Sequence, residues 1–277
     1  MPSSLEPVDL PLLVQSHESL GASHYLLALA AGRVPRWSPG QFAMIAPRSG
    51  RATVDPLLRR PFSIFNLAGS PAGSLQILYK VLGRGTGLLS GARAGDEIRC
   101  LAPLGRGFDT RHAGGERLLL VAGGIGSASL HPLALQDRDA GGQPLMLYGC
   151  RTAADLAGVR PTQEAGIDVR ISTDDGSAGR KGPVSDLLEE FLATEGAAAR
   201  GRWAVCVCGP TAMMKAAAAV AARHRLRCHV SLESPMACGF GVCVGCVVGT
   251  REGADAPLRY RRICVDGPVF DAAQVVW

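Results

Sequence analysis

Four cysteines near the carboxyl end constrain this chain more than any other feature. Cys238, Cys243 and Cys246 fall within nine residues, and Cys264 follows after a further seventeen. Three glycines lie among the first three cysteines, and glycine lets a backbone turn tightly and direct its N–H groups toward a common centre. The segment is therefore predicted to be a loop that holds a metal centre through four thiolates.

The spacing of the cysteines favours one kind of metal centre. C-x4-C-x2-C with a distant fourth cysteine is a pattern that holds a [2Fe–2S] cluster. Two alternatives stay open, a structural zinc, which favours two well-separated cysteine pairs, and thiols without a metal. Because such a cluster passes one electron at a time, we expect an electron-transfer protein with further redox centres.

Length and composition bound the architecture and the partners. The 277 residues suffice for two domains and a small appendage. The 35 glycines and 18 prolines fit strands and turns better than a helical bundle. A formal charge of +5, carried mostly by scattered arginines, does not indicate nucleic-acid binding.

Cysteine usage and apolar segments predict the compartment. We see no signal peptide and no apolar stretch of the ~20 residues that a membrane span needs. An odd total of nine cysteines argues against a secreted disulfide framework. We therefore expect a soluble cytoplasmic protein without a membrane span, with most of the non-cluster cysteines buried and inert, namely Cys100, Cys150, Cys206, Cys208 and Cys228.

Strand and turn patterns divide the chain into three predicted domains. Residues 1–108 contain short strands separated by Gly and Pro, typical of a β-barrel or sandwich. Residues 109–230 alternate strands with helices, which predicts a doubly wound α/β domain. Residues 231–277 carry the cluster cysteines. The predicted fold class is thus multi-domain: an all-β barrel, an α/β nucleotide-binding domain and a small [2Fe–2S] domain.

Two turns of the α/β region are candidate dinucleotide contacts. Glycine-rich strand-to-helix turns let a pyrophosphate approach the backbone and the helix N-terminus, and ligands gather at the carboxyl ends of parallel strands. The glycine turn could also be a tight turn with no ligand. The Cys208-Gly209-Pro210 turn also satisfies ordinary capping rules, and Pro210 is predicted at the first helical position. The candidate residues are Gly123, Gly124, Gly126, Cys208, Gly209 and Pro210.

Two segments of the β-rich region are candidate flavin contacts. In Arg59-Arg60-Pro61-Phe62-Ser63, a guanidinium fork can hold a pyrophosphate, and Ser63 can hydrogen-bond a ring nitrogen. In Gly83-Arg84-Gly85-Thr86, backbone N–H groups and a hydroxyl can bind phosphate or ribityl oxygens. Either segment alone could be a surface turn.

The order of these motifs resembles the ferredoxin–NADP reductase superfamily. The cysteine loop narrows the resemblance to the electron-transfer subunits of NAD-dependent (class 1B) dihydroorotate dehydrogenases. Its most specific stretches are Ser231-Leu-Glu-Ser-Pro-Met-Ala-Cys-Gly-Phe-Gly-Val-Cys-Val-Gly-Cys and Cys264-Val-Asp-Gly-Pro-Val-Phe. The resemblance spans nearly the whole chain.

The resemblance implies a flavin-binding barrel, an NAD domain and a cluster domain, with FAD, NAD and a [2Fe–2S] cluster as cofactors. Ser63, Cys208 and Glu233 are implied as the residues at the reacting centre. The implied cofactor-binding residues are Arg60, Pro61, Phe62, Ser63, Lys80, Gly83, Gly85, Thr86, Gly123, Gly124, Gly126, Cys208, Gly209 and Pro210. The implied metal ligands are Cys238, Cys243, Cys246 and Cys264.

Some positions bear on cofactor choice or depart from the superfamily pattern. Asp174 and Asp175 would repel a 2′-phosphate and favour NAD, whereas Arg151 and Arg180 could favour NADP. Phe62 stands where the superfamily commonly has tyrosine. Trp277 follows the cluster segment, so we do not expect it to cover the flavin.

The resemblance implies a partner, an FMN-containing dihydroorotate dehydrogenase subunit, in a hetero-oligomer. Electrons would pass from that subunit through the cluster and FAD to NAD+ in pyrimidine biosynthesis. The alternatives are a small subunit of a related ferredoxin:NAD(P) oxidoreductase, sulfide dehydrogenase or hydrogenase complex, and a non-catalytic redox-sensing module.

Overall fold

The computed structural model of the chain describes residues 6–47, 56–67, 73–109, 116–194, 203–253 and 255–277. The strands within these ranges form three sheets: a six-stranded antiparallel sheet, a seven-stranded mainly parallel sheet and a two-stranded hairpin. None of the described helices is long and apolar enough to cross a bilayer.

The amino-terminal sheet is a near-closed barrel with strand order β4-β3-β6-β1-β2-β5. Alternating strand residues turn inward, and Leu27, Leu29, Ile77 and Ile98 are fully buried in its core. Helix α1 (Arg84–Leu89) follows the fifth strand. The strands are β1 (Val8–Gly21), β2 (His24–Ala30), β3 (Phe42–Ile45), β4 (Arg60–Ser63), β5 (Ser74–Lys80) and β6 (Glu97–Leu104).

The second sheet has its first strand in the middle, with helices between successive strands. Its parallel strands are β7 (Arg117–Gly123), β8 (Leu145–Cys150), β9 (Asp168–Thr173), β10 (Arg180–Lys181), β11 (Trp203–Cys208) and β12 (Arg227–Ser231). Its helices are α2 (Ser127–Asp139), α3 (Arg160–Glu164), α4 (Val184–Ala193) and α5 (Thr211–Arg223). Continuous apolar strands such as β7 and β11 are buried, as a parallel sheet covered by helices requires.

The carboxyl-terminal segment contributes a hairpin, a short helix and one more strand. The hairpin pairs β13 (Val247–Thr250) with β14 (Arg259–Arg262), and α6 (Ile263–Asp266) follows directly. Strand β15 (Val269–Asp271) then joins the parallel sheet, antiparallel to β12. The cluster segment is therefore attached to the α/β sheet by its own backbone.

The predicted fold class is confirmed: a barrel, an α/β sheet and a carboxyl-terminal cysteine segment are all present. One local prediction is wrong. Pro210 precedes α5 as its N-cap, with ψ 141°, and is not its first helical residue. An extended ψ at this position leads the chain out of β11 before the helix begins. The exact domain boundaries stay a prediction.

Candidate functional site

Residues from all three parts of the chain meet at a cavity of about 520 Å³, here named the central cavity. Its size is within the range of small-molecule and cofactor sites. Strand β4 forms one wall, residues 209–211 form another, and residues 232–236, which lead to Cys238, form a third. The predicted site residues that line the central cavity are Arg60, Pro61, Phe62, Ser63, Lys80, Thr86, Gly209, Pro210 and Glu233.

On the barrel side, an aromatic group supports the cavity wall. The rings of Phe62 and Tyr79 meet edge to face with centroids 5.6 Å apart, and both line the cavity. His17 Nδ1 donates to the Ala92 carbonyl at 2.9 Å, because a carbonyl can only accept. His17 Nε2 therefore accepts from the Tyr79 hydroxyl at 3.0 Å.

The Arg60 guanidinium lies where the absence of a side chain at position 85 makes room for it. A Cβ on Gly85 would lie 2.7 Å from Arg60 Nε. Arg60 Nη1 donates to the Leu58 carbonyl at 2.5 Å. Thr86 Oγ1 accepts from the Gly83 N–H at 3.1 Å and so fixes the turn before α1. A side chain at position 85 would therefore displace the flexible end of Arg60 from its present place at the cavity wall.

Arg59 does not belong to this site. Its Nη2 forms an ion pair with Asp9 Oδ2 at 2.7 Å, on the exposed side of the barrel. Burial tends to raise the pKa of Asp9, but the hydrogen bond and charge of Arg59 outweigh it and lower that pKa. Of the two neighbouring arginines, only Arg60 therefore lines the central cavity.

The two predicted dinucleotide turns lie side by side. They follow β7 and β11, neighbours at the place where the strand order of the sheet reverses, which is where α/β sheets bind nucleotides. A Cβ on Gly126 would lie 2.4 Å from the Cys208 carbonyl oxygen, and one on Gly209 would lie 2.9 Å from Gly123 Cα. The two turns therefore pack backbone against backbone, which only glycine allows.

Cys208 itself is buried behind this wall. Its side chain interacts with the hydroxyls of Ser129 and Ser231, which hydrogen-bond each other at 3.0 Å. Burial strongly raises the pKa of the Cys208 thiol, so the group is a neutral thiol near pH 7. Gly123, Gly124 and Gly126 likewise do not line the central cavity, and neither do Gly83 and Gly85 on the barrel side.

Two charged residues besides Arg60 line the cavity. Glu233 has surface exposed toward the cavity, while protein atoms enclose it on the other sides and raise its pKa by desolvation. Lys80 Nζ forms an ion pair with Asp155 Oδ1 at 2.5 Å. That pair joins β5 of the barrel to a 3-10 helix that follows β8, so Lys80 has a partner in the α/β part.

The four cluster cysteines form two pairs. Cys243 N donates to Cys238 Sγ at 3.5 Å, and Cys264 N donates to Cys246 Sγ at 3.4 Å. No three of the His, Cys, Asp or Glu side chains that the structure describes are grouped to hold a single metal ion. Two pairs of cysteines fit a [2Fe–2S] cluster, in which each of the two irons takes two protein ligands.

Backbone N–H groups are directed at these sulfurs. Burial tends to raise the pKa of Cys238, but N–H groups of Cys243, Phe240 and Val242 outweigh it and lower that pKa to about 6. Burial, with Cys246 beside it, raises the pKa of Cys264 to about 12. The loop therefore favours the thiolate form of Cys238 on its outer side. On its buried side, a metal must displace the proton of Cys264.

The acidic and basic residues that bear on the choice between NAD and NADP have different partners. Asp175 Oδ1 accepts from the N–H and hydroxyl of Ser177 at 2.9 and 2.6 Å, and these bonds lower its pKa. Arg180 pairs with Glu190 at 2.8 Å. Asp175, in the loop after β9, thus stays a charged carboxylate. The Arg180 guanidinium is held by Glu190 of α4.

Comparison with known proteins identifies the family. A family model, the iron-sulfur cluster binding domain of dihydroorotate dehydrogenase B, matches residues 233–276. A protein of Aquifex aeolicus named as a dihydroorotate dehydrogenase B (NAD(+)) electron transfer subunit homolog is 37% identical, covering 86% of each chain. The corresponding subunit of Shouchella clausii is 35% identical, covering 96% of this chain and 97% of the relative.

This chain belongs to the family of dihydroorotate dehydrogenase B electron transfer subunits. Among solved structures, one described as an NADH-dependent reduced ferredoxin-NADP oxidoreductase aligns with 100% of this chain and 92% of its own, at a TM-score of 0.78 and 26% identity. A ferredoxin NADP+ reductase from Neisseria gonorrhoeae aligns with 78% of this chain and 91% of its own, at a TM-score of 0.64 and 16% identity, and shows the shared fold alone.

Membership in the dihydroorotate dehydrogenase B electron transfer subunits confirms the resemblance seen in the sequence. With it, the expected cofactor set of FAD, a [2Fe–2S] cluster and NAD is supported. The roles of individual residues are not tested by these comparisons, and they stay predictions. The structure adds that nine of them share one cavity.

Sequence reasoning missed several residues of the dihydroorotate dehydrogenase B-type site. Tyr79, Ile125, Ser231 and Pro268 also line the central cavity. Tyr79 adjoins Lys80 on β5, and because neighbouring strand residues point to opposite faces, the choice of Lys80 does not indicate Tyr79. Ile125 lies inside the glycine turn already singled out. Pro268 carries no local motif, and its position follows only from the return of β15 to the sheet.

Proposed function

We propose that this chain is the electron-transfer subunit of a cytoplasmic NAD-dependent dihydroorotate dehydrogenase. It takes electrons from a partner FMN subunit that oxidises dihydroorotate, and delivers them to NAD+. The observation that carries the proposal is the central cavity, because β4, the Gly209–Pro210 turn and the segment leading to Cys238 all line it. The three predicted cofactor sites therefore adjoin one another.

The residues on the barrel side fit a flavin. When bound, FAD exchanges electrons in pairs with NAD and singly with a [2Fe–2S] cluster. Arg60 offers a cation for the pyrophosphate beside the space left by Gly85. Phe62 offers an apolar ring face held by Tyr79, and Ser63 offers a hydroxyl at the cavity wall.

The residues on the sheet side fit a nicotinamide dinucleotide. Gly209 and Pro210 line the cavity just after β11 ends, and this small turn leaves room for a flat nicotinamide ring. Cys208 keeps this wall in place as a buried neutral thiol. The charged carboxylate of Asp175 and the engagement of Arg180 by Glu190 support NAD over NADP.

The carboxyl-terminal segment fits a cluster near a docking surface. Cys243 is exposed, and eight of the twelve large exposed apolar side chains of the described residues lie in this segment. Exposed apolar groups of this kind mark protein interaction sites. They are Phe240, Val242, Val244, Val247, Leu258, Tyr260, Val276 and Trp277. No disulfide joins any of the nine cysteines, consistent with the reducing cytoplasm.

The test is recovery of the tagged chain from its native host under anaerobic conditions, with its partners identified by mass spectrometry. We expect an FMN-containing subunit, and a recovered complex that reduces NAD+ with dihydroorotate. Iron, acid-labile sulfide and FAD are measured on the same sample. A preparation with zinc and no sulfide would overturn the cluster, and a preparation that turns over no NADH with an artificial acceptor would favour a sensor.

A second candidate is the small subunit of a ferredoxin:NAD(P) oxidoreductase. It is favoured by the alignment of the whole chain with a structure described as an NADH-dependent reduced ferredoxin-NADP oxidoreductase. Recovery of a larger pyridine-nucleotide flavoprotein, with no dihydroorotate activity, would support it. The cavity and the cysteine pairs would keep their roles in that case.

A further inference from the structure

Arg262 occupies a distinctive place beside the cysteine loop. It is the last residue of β14, pairs with Val247 across the hairpin and immediately precedes α6, which contains Cys264. Its Nη1 donates to the Gly241 carbonyl at 3.0 Å. Gly241 lies between Cys238 and Cys243, so one side chain joins the loop of the first cysteine pair to the segment of the second.

Gly241 is the link between Arg262 and the cysteine loop. Its φ of +91° favours glycine. A Cβ there would lie 2.6 Å from Val265 Cγ2 and 3.1 Å from Arg262 Nη1. The Gly241 carbonyl belongs to one rigid peptide plane with the Val242 N–H, inside the loop that joins Cys238 to Cys243. A guanidinium that holds this carbonyl therefore fixes one peptide of that loop.

Arg262 is itself held from the other side. Its backbone N–H donates to Asp266 Oδ2 at 2.8 Å, and its Nε lies 4.0 Å from the same oxygen. The neighbouring arginines of the hairpin are directed elsewhere. Arg259 and Arg261 both pair with Glu252, at 3.6 and 3.4 Å.

We propose that Arg262 is a positioning residue for the [2Fe–2S] cluster, which fixes the loop that directs the Cys243 N–H at the Cys238 sulfur and raises the reduction potential of the cluster. The inference rests on the proposed function, because it requires the cluster. Reduction adds one negative charge, so a nearby cation and an oriented N–H donor both stabilise the reduced state. Partners of metal ligands contribute about 10–100-fold to metal affinity.

The experiment compares Arg262→Gln, Arg262→Lys and Arg261→Gln in the anaerobically purified holoprotein. Arg261→Gln is the matched control, since it removes the same charge from the same strand without contacting the cysteine loop. The midpoint potential is measured by redox titration with electron paramagnetic resonance. Loss of the cluster to a chelator is followed by its visible absorbance.

We expect Arg262→Gln to shift the reduction equilibrium about tenfold toward the oxidised cluster, about 59 mV for a one-electron couple. We also expect it to lose iron to the chelator about 10–100-fold faster than the wild type. Arg261→Gln should change each quantity by less than about threefold. Arg262→Lys should keep most of the potential, because it keeps the charge, but lose iron faster, because an ammonium lacks the planar fork.

Equal potentials and iron loss in Arg262→Gln and Arg261→Gln would overturn the proposal, since the effect would then be general surface charge. If Arg262→Gln retains no iron, Arg262→Lys decides: faster iron loss than the wild type supports the proposal, and wild-type behaviour in both measurements overturns it. Failure of the wild type itself to hold iron and sulfide would instead refute the proposed function.

Discussion

Substitution of Gly126 by alanine tests the close approach of the two dinucleotide turns. The new Cβ would lie 2.4 Å from the Cys208 carbonyl oxygen, 2.6 Å from its carbon and 2.8 Å from Gly209 N. Ordinary contact begins near 3.4 Å, so the turns must separate by about 1 Å. Because Cys208 pairs with strands on both sides of β11, this movement is costly.

The expected effects follow from that displacement. Overpacking by one methyl group costs about 1–3 kcal/mol, and each kcal/mol lowers Tm by about 2–4 °C in a chain of comparable size. A shift of about 1 Å in a positioning element costs about 100-fold in rate. We therefore expect kcat/KM for NADH, measured with ferricyanide as acceptor, to fall about 100-fold while FAD content stays unchanged.

Gly32→Ala is the matched control for this substitution. No atom lies within 4 Å of a Cβ at position 32, and its φ is outside the left-handed region. We expect it to leave both Tm and kcat/KM as in the wild type. Wild-type kinetics in Gly126→Ala would refute the inference that close packing of these turns forms the NADH site.

Three further predictions concern charge and stability, each measured by urea unfolding. Burial lowers the pKa of His131 to about 4, so below about pH 6.5 the unfolded chain binds a proton that the folded chain does not bind. The free energy of unfolding should therefore fall by about 2 kcal/mol from pH 7 to pH 5, and His131→Gln should remove this loss. Desolvation raises the pKa of Glu233, so its carboxyl ionises more readily in the unfolded state and lowers the stability of the fold as pH rises. Glu233→Gln should stabilise the protein at pH 7 and not at pH 4, and an equal effect at both pH values would contradict this. Lys80→Met leaves the Asp155 carboxylate without its 2.5 Å partner; a double-mutant cycle with Asp155→Asn should give a coupling of about 1 kcal/mol, and additive effects would show that the pair does not join the barrel to the α/β part.

The α/β strands could be predicted from sequence because burial leaves a local record. The continuous apolar run Trp203-Ala-Val-Cys-Val-Cys predicts a buried parallel strand, and the structure has a strand with these bounds, Trp203–Cys208. Strand β1 (Val8–Gly21) is not predicted, because buried and exposed residues alternate irregularly along its fourteen residues and Pro11 interrupts the pattern. Strand β15 has three residues, too few for any period to show.

The residues of the candidate site likewise fall into those that the sequence reveals and those that only the fold reveals. Residues that act through local backbone geometry, such as Gly126 and Gly209, lie in recognisable turns. Residues that act through distant partners do not. Arg262 is one of three arginines in Arg259-Tyr-Arg-Arg. Only the fold shows that Arg262 bonds to the cysteine loop while Arg259 and Arg261 pair with Glu252. The pairing of His17 with Tyr79, 62 positions apart, likewise has no local sign.

The return of β15 to the parallel sheet limits how this cluster segment can be exchanged between proteins. A family model covers residues 233–276 as a unit, yet residues 269–271 are an edge strand of the neighbouring sheet, in register with His229, Val230 and Ser231. A recombination event that transplants the cysteines must therefore bring a strand that matches the recipient's β12. Gene fusions that keep the cysteine segment together with its β12 partner preserve the electron path. A cut between β12 and β15 leaves an open sheet edge on one protein and an unpaired strand on the other.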